Sequence, residues 1–251
     1  MDETETRHPS APTDSRSPQG AEILEQRLGL VLRELAHEFG NLIFPLQMVM
    51  ELQERSGRLT AAELSEILRA HIAELTIITR RFQRIGRCFS QRLDLDFMIT
   101  RPADIVAAAT GDLRPALDAC GHSLCTELSG APATIQADPD LLQQALHELL
   151  ENAIRFTPSG GRIEVIVRQQ GAEVEFLVRD NGPGIAAEIQ TMVFEPFVHG
   201  GTKLDIGAGR FGCGLTLVAR VASAHGGRAE LRHSSSAGSE LAISIPIARS
   251  A

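Results

Sequence analysis

Glu148 and Asn152 lie four residues apart in a run with helical spacing, so their side chains share one face. Together they can converge on one hard cation, whose preferred ligands are oxygens and nucleotide phosphates. Farther along, Asp180-Asn-Gly-Pro-Gly184 closes a stretch of strand-like alternation. A carboxylate at that end can accept a hydrogen bond from the exocyclic amine of adenine, while Gly182 and Gly184 let a base approach the backbone with no Cβ in the way. Gly212-Cys-Gly-Leu215 then opens a helix, where small residues present amides to phosphate oxygens. Between the two glycine clusters, Phe194-Glu-Pro-Phe197 is an apolar, aromatic hinge, and Val198 to Phe211 has the glycine content of a mobile lid. Lys203 is the only lysine of that lid and Arg210 its only arginine, so these two are the candidates to meet a terminal phosphate on closure. Each cluster alone has a plainer reading, as a polar helix pair or a surface turn. In this order they describe a pocket for a purine and a row of phosphates.

A phosphate donor needs an acceptor, and His37 is the candidate. Apolar residues at 28, 32, 35, 39, 42, 46 and 49 step by four and three in turn, a heptad seam on one helix. With Leu35 and Leu42 at d and Phe39 at a, His37 falls at f, farthest from the seam and exposed. An imidazole with an ordinary pKa of about 6.5 is largely neutral near pH 7 and can act as a nucleophile. Glu38 beside it can take the proton that must leave, and Asn41 stands one turn on. Pro45 removes the hydrogen bond to the Asn41 carbonyl and is expected to kink the helix just beyond. Taken alone, His37 is also readable as an ordinary exposed helix histidine.

Other elements must position these groups. Residues 1–20 are polar and proline-containing and read as a disordered tail. The first helix is expected to end near Ser56-Gly57, and Thr60-Ala-Ala-Glu63 is a capping box for a second helix to about residue 92, with Leu64, Leu68, Leu75, Ile78, Phe82, Ile85 and Phe89 on its seam. His71 in that seam reads as a core residue, and Arg80, Arg81, Arg84 and Arg87 as a solvated face. One hairpin cannot cover both seams, whereas two paired hairpins form a four-helix bundle, so a homodimer is expected. After Arg101-Pro102 the pattern predicts a helix over Asp104–Cys120 and a strand near Ser123–Leu128. A helix capped by Asp138 with Pro139 at its first position should follow, then strands at Ile163–Val167 and Glu173–Arg179, a helix over Leu215–Ala224, and closing strands at Ala229–Arg232 and Leu241–Ile245.

Leu35-Ala-His-Glu-Phe-Gly-Asn41 resembles the phosphoacceptor box of two-component sensor histidine kinases, and the later clusters resemble the nucleotide boxes of the same family. The resemblance covers about residues 25 to 247. It implies an α+β chain: a disordered tail (1–20), a helical dimerisation and phosphoacceptor hairpin that forms a dimeric four-helix bundle (21–93), and an α/β sandwich of the histidine-kinase ATPase type (94–248). It further implies ATP and Mg2+ as cofactors, Glu38 as general base in autophosphorylation, and Asn41 as the residue that orients a water for dephosphorylation of a response-regulator receiver domain. Asn152 is the implied magnesium ligand, Arg155 takes the place of a phosphate-contacting lysine, and Phe156 lies against the base. Gly238-Ser239 resembles the last box, whose Ser239 hydroxyl joins Asp180 through water at the adenine. The sequence departs from the family pattern at Gly40 and Leu42, where a basic residue and a proline are usual, and at Thr216, where a further glycine is usual. Glu148 stands where an asparagine is most frequent. The related gyrase-, Hsp90- and MutL-type ATPases carry a water-activating glutamate there. Three functions follow as alternatives: a protein-histidine kinase, a phosphotransfer or phosphatase adaptor with regulatory nucleotide, and an ATPase switch using Glu148.

Composition bounds these readings. The chain has 251 residues, 43% hydrophobic, with a net charge of −8, which argues against a nucleic-acid surface. No apolar run suits a membrane span and no signal-peptide core is visible, so a cytoplasmic protein that takes its input from a separate sensor is expected. No receiver domain is expected after the last strand. Four cysteines without a metal-binding spacing read as reduced thiols.

Overall fold

A computed structural model describes residues 18–57, 59–90, 92–198 and 212–248. It divides into two compact units, one ending at Leu75 and the other beginning at Thr76. Lys203 and Arg210 lie outside the described residues.

The first unit holds α1 (Pro18–Ser56) and the first half of α2 (Ala61–Phe89). Helix α1 starts inside the stretch expected to be a tail. Its turn is built as the sequence implies. Gly57 adopts φ 56°, a conformation that glycine takes without steric cost. The Gln53 amide clasps both polar groups of the Leu59 backbone, at 2.9 and 3.0 Å. Thr60 and Glu63 complete a reciprocal capping box: the Thr60 amide donates to Glu63 at 2.8 Å and the Glu63 amide donates to the Thr60 hydroxyl at 3.3 Å.

Five strands of the second unit form a mixed sheet in the order β2-β4-β5-β7-β6, with β2 (Ser123–Gly130), β4 (Arg162–Gln170), β5 (Glu173–Asp180), β6 (Arg228–Ser235) and β7 (Gly238–Pro246). Only the β2–β4 pair is parallel. Period-two alternation places Val165, Val178 and Leu241 in one cross-strand row and Val167, Phe176 and Ile243 in the next, all buried. Helices α3 (Pro102–Cys120), α4 (Pro139–Phe156) and α5 (Gly214–Ala224) form the second layer, α4 packing on α3, α5 and β5. The opposite face of the sheet is charged. Glu175 is fully buried there, and its carboxylate is held by Arg168 at 2.6 Å and Arg232 at 2.8 Å, as a buried ion requires.

The strands run longer than the expected ones because backbone pairing continues past the apolar core. The β4–β5 hairpin stays in register to Gln170 and Glu173, and β7 begins at Gly238 because Ser235 already pairs with it. A two-stranded ribbon, β1 (Met98–Thr100) with β3 (Ile135–Ala137), was not anticipated. Three-residue strands carry too little pattern to be read from sequence.

Helix α4 starts as predicted, with Pro139 at its first turn and the Asp138 carboxylate accepting from the Leu141 amide at 3.0 Å. Asp138 is in turn tied to the end of α5: its amide donates to His225 Nε2 at 3.0 Å, and His225 Nδ1 donates to the Val221 carbonyl at 2.8 Å. These two bonds require the neutral imidazole with its proton on Nδ1. Burial pushes the His225 pKa below the usual histidine value. A depressed folded pKa means that the imidazole's contribution is complete above the unfolded value of ~6.5 and is lost as pH falls through the lower folded value. Thermal melts between pH 7.5 and 5 should therefore show a loss of stability that is smaller in His225→Gln, the non-titrating variant, than in wild type.

Candidate nucleotide site

A cavity of about 880 Å³ opens between α4, the loop after β5 and the start of α5, within the size range of small-molecule and cofactor sites. Of the expected pocket residues, Glu148, Asn152, Arg155, Phe156, Asp180, Gly184, Gly212, Gly214, Leu215 and Ser239 line it. Gly182 is buried just behind the wall. His37, Glu38 and Asn41 lie on α1 in the first unit.

At one end of the cavity Asp180 is held at the terminus of β5. Its Oδ1 accepts the Gly182 amide at 2.8 Å, forming a tight local turn, and its Oδ2 accepts the Ser239 hydroxyl. Ser239 stands directly opposite Asp180 in the β5–β7 register. The carboxylate is thus fixed by strand pairing as well as by its own loop. The glycines of this loop make close approaches to the chain itself. A Cβ on Gly184, which has φ 74°, would stand 2.1 Å from the Ser235 carbonyl oxygen, and one on Gly182 would stand 2.8 Å from Asp180 Oδ1. Asn181 ties the loop back to β4 by accepting the Arg162 amide at 2.7 Å.

At the other end, Gly214 opens α5 on the cavity wall, and Cys213 before it is buried. A Cβ on Gly214 would meet Glu148 Oε2 at 2.6 Å. Phe197 is buried with φ 63°, which makes the hinge a sharply turned segment, and its amide donates to the Gly212 carbonyl at 3.0 Å. Thr216 is buried, and its hydroxyl has no hydrogen-bond partner among the described residues. Arg155 lies over the half-exposed ring of Phe156, 5.0 Å from its centroid, a cation–π contact. The described charged residues on the cavity wall are Glu148, Glu151 and Asp180 against Arg84 and Arg155. Glu148 and Asn152, four apart on α4, put two oxygen-bearing side chains on the same wall.

Arg84 corrects the sequence reading. It does not belong to a solvated face. Its guanidinium is half-buried on the cavity wall, 2.9 Å from Glu148 and 3.6 Å from Glu151. Helical spacing marks the basic residues, but the acidic partners come from a segment more than sixty positions away in the sequence.

On α1, His37 is exposed, as its heptad position predicts, and Asn41 reaches back one turn to place its side-chain nitrogen 3.0 Å from His37 Nδ1.

Comparison with known proteins assigns this arrangement. Residues 137–249 match the family described as histidine kinase-, DNA gyrase B- and HSP90-like ATPases. These residues match an ATPase domain of that family, and the relatives that the chain resembles over most of its length are sensor kinases. The sensor protein KinB of alginate biosynthesis in Pseudomonas aeruginosa is 29% identical over 88% of this chain and 37% of its own length. The sensory kinase SasA of a Synechococcus strain is 26% identical over 86% of this chain and 56% of its own length. The chain therefore spans roughly a third to a half of these relatives. Among solved structures, full-length ShkA in complex with AMPPNP superposes with a TM-score of 0.65 at 24% identity, covering 90% of this chain and 46% of that one. ThkA in complex with its response regulator TrrA superposes at 0.59 and 19%, covering 91% and 63%. These likenesses establish the histidine-kinase fold. No helix among the described residues is long and apolar enough to cross a membrane.

Gly184 offers a direct stability test of the loop that carries Asp180. Gly184→Ala combines a left-handed backbone with a clash against the Ser235 carbonyl. It should destabilise this domain by at least ~2 kcal/mol, read by chemical denaturation.

Proposed function

We propose that this chain is an ATP-dependent protein histidine kinase that phosphorylates His37 and passes the phosphoryl group to an aspartate on a separate response-regulator receiver domain. The observation that carries the reading is the paired fixation of Asp180, by Gly182 from its own loop and by Ser239 across the sheet, at one end of a cavity whose other end is the glycine entrance to α5. Asp180, an acceptor only when ionised, takes the exocyclic amine of adenine. Phe156 lies against the base, Arg155 meets a phosphate, and Gly212, Gly214 and Leu215 present the helix N-terminus to phosphate oxygens. Asn152 and Glu148 would supply oxygen ligands for Mg2+, which would neutralise phosphate charge there. Lys203 and Arg210 remain candidates for the γ-phosphate.

On α1, Asn41 holds the imidazole of His37 from the Nδ1 side. The reactive tautomer carries its proton on Nδ1 and its lone pair on Nε2, so Asn41, whose amide nitrogen faces Nδ1 as placed, gives up that ring nitrogen to Glu38 before attack. Nε2 attacks the γ-phosphorus while the bond to the β-bridging oxygen breaks and ADP leaves. Glu38 takes the Nδ1 proton as positive charge develops on the ring. In the second transfer a receiver carboxylate attacks the phosphorus and the P–N bond breaks. Asn41 also orients a water in the reverse role, dephosphorylation of the regulator.

The working unit is proposed to be a homodimer. Leu32 on the seam of α1, and Ile43, Met50 and Leu52 at the heptad positions beside that seam, remain substantially exposed. Such an apolar face on a long hairpin calls for a second copy. The division into a tail, a hairpin domain to residue 93 and a catalytic domain from 94 to 248, a cytoplasmic location and an input delivered by a separate sensor protein complete the reading.

Incubation with γ-labelled ATP and magnesium should put acid-labile, base-stable label on the wild-type chain and none on His37→Ala; label that persists in the variant would sink the assignment. Sedimentation equilibrium should give twice the chain mass for the wild type, with Leu32→Asp shifted toward a single chain.

A further inference from the structure

The carboxylate of Glu148 is 3% exposed and stands between two positive groups. Arg84 Nε lies 2.9 Å from its Oε1, and Oε2 crowds the N-terminal residue of α5, where Gly214 leaves room for it. A carboxylate therefore occupies the helix end that faces incoming phosphate. Arg84 is itself held in place. One turn on, Cys88 donates from Sγ to the Cys213 carbonyl at 3.1 Å; Phe89 stacks on Phe197 with ring centroids 5.4 Å apart; and Arg220 of α5 donates to the Ser90 carbonyl. The segment bearing Arg84 is thus fastened to the same hinge and glycine entrance that border the phosphate end of the cavity.

We propose that Arg84 is a latch on Glu148, a positioning residue that decides whether this acid is available to a metal ion or a water. The proposal rests on the reading of the cavity as a Mg-nucleotide site. While the guanidinium holds Oε1, Glu148 is committed to an ion pair. When Arg84 withdraws, a buried carboxylate must find another positive charge, and the nearest is the divalent cation that arrives with the nucleotide. Released, Glu148 can also take a proton from a water whose oxygen bonds to the γ-phosphorus as the bond to ADP breaks, which yields ADP and phosphate. The same residue thereby sets the balance between holding the nucleotide for transfer and hydrolysing it. A guanidinium serves this role because its planar fork reaches Glu148 through Nε and Glu151 through a terminal nitrogen at once.

The test uses the full chain and N-methylanthraniloyl-ATP, with binding followed by fluorescence anisotropy with and without Mg2+. In Arg84→Gln, the factor by which Mg2+ tightens nucleotide binding should rise about tenfold over wild type, the size expected when a charged hydrogen bond stops competing. Phosphate release to solution should rise with it, and both gains should vanish in Arg84→Gln/Glu148→Gln. Arg84→Lys keeps a charge beside the acid and should show a smaller rise in the same direction. An unchanged or reduced Mg2+ factor in either folded Arg84 variant overturns the latch, as does a gain that survives removal of Glu148. Wild-type protein that binds no nucleotide overturns the cavity reading, and the latch with it.

Discussion

Strand β5 is paired on both edges and covered on both faces, and the rest of the second unit is arranged around that constraint. β4 and β7 satisfy its backbone groups, Val174, Phe176 and Val178 fill one face, and Glu175 on the other face is buried only because two arginines reach it. A strand fixed in this way has a fixed end. Asp180 stands at that end, opposite Ser239, so the position of the carboxylate follows from the register of the sheet and needs little from the flexible loop beyond it.

Helix α4 applies the same logic to the other wall. Its leucines face α3, α5 and the sheet, and that burial orients the turn bearing Glu148, Glu151 and Asn152 toward the cavity. The His225–Asp138 link ties the start of α4 to the end of α5, and the close approach of Glu148 to Gly214 sets the middle of α4 against the start of α5, so the two helices that border the cavity are registered at two points. Acid placed at a glycine-opened helix end, with an arginine against it, makes charge balance the variable on which chemistry at this site turns.

Much of this was legible in the sequence because it rests on local rules. Asp138-Pro139 announced the start of α4, Thr60 and Glu63 the start of α2, and a heptad position the exposure of His37; each involves neighbours within a turn or two. The glycine clusters were also recognisable. Their meaning shifted, however, since the space left at Gly184 and Gly214 is occupied by Ser235 and Glu148 of the same chain. The ribbon of β1 and β3 escaped notice because three residues carry no readable period.

The sequence by itself determined the elements, the order of the nucleotide boxes and the exposed histidine, because helix caps, heptads and strand alternation depend on residues close along the chain. Only the tertiary structure decided what each charged group faces. Arg84 and Glu148 are sixty-four positions apart, and no periodicity within either helix specifies that the two will meet. Long-range packing brings them together, and burial of Glu148 then makes a pair that the acid cannot leave without a replacement.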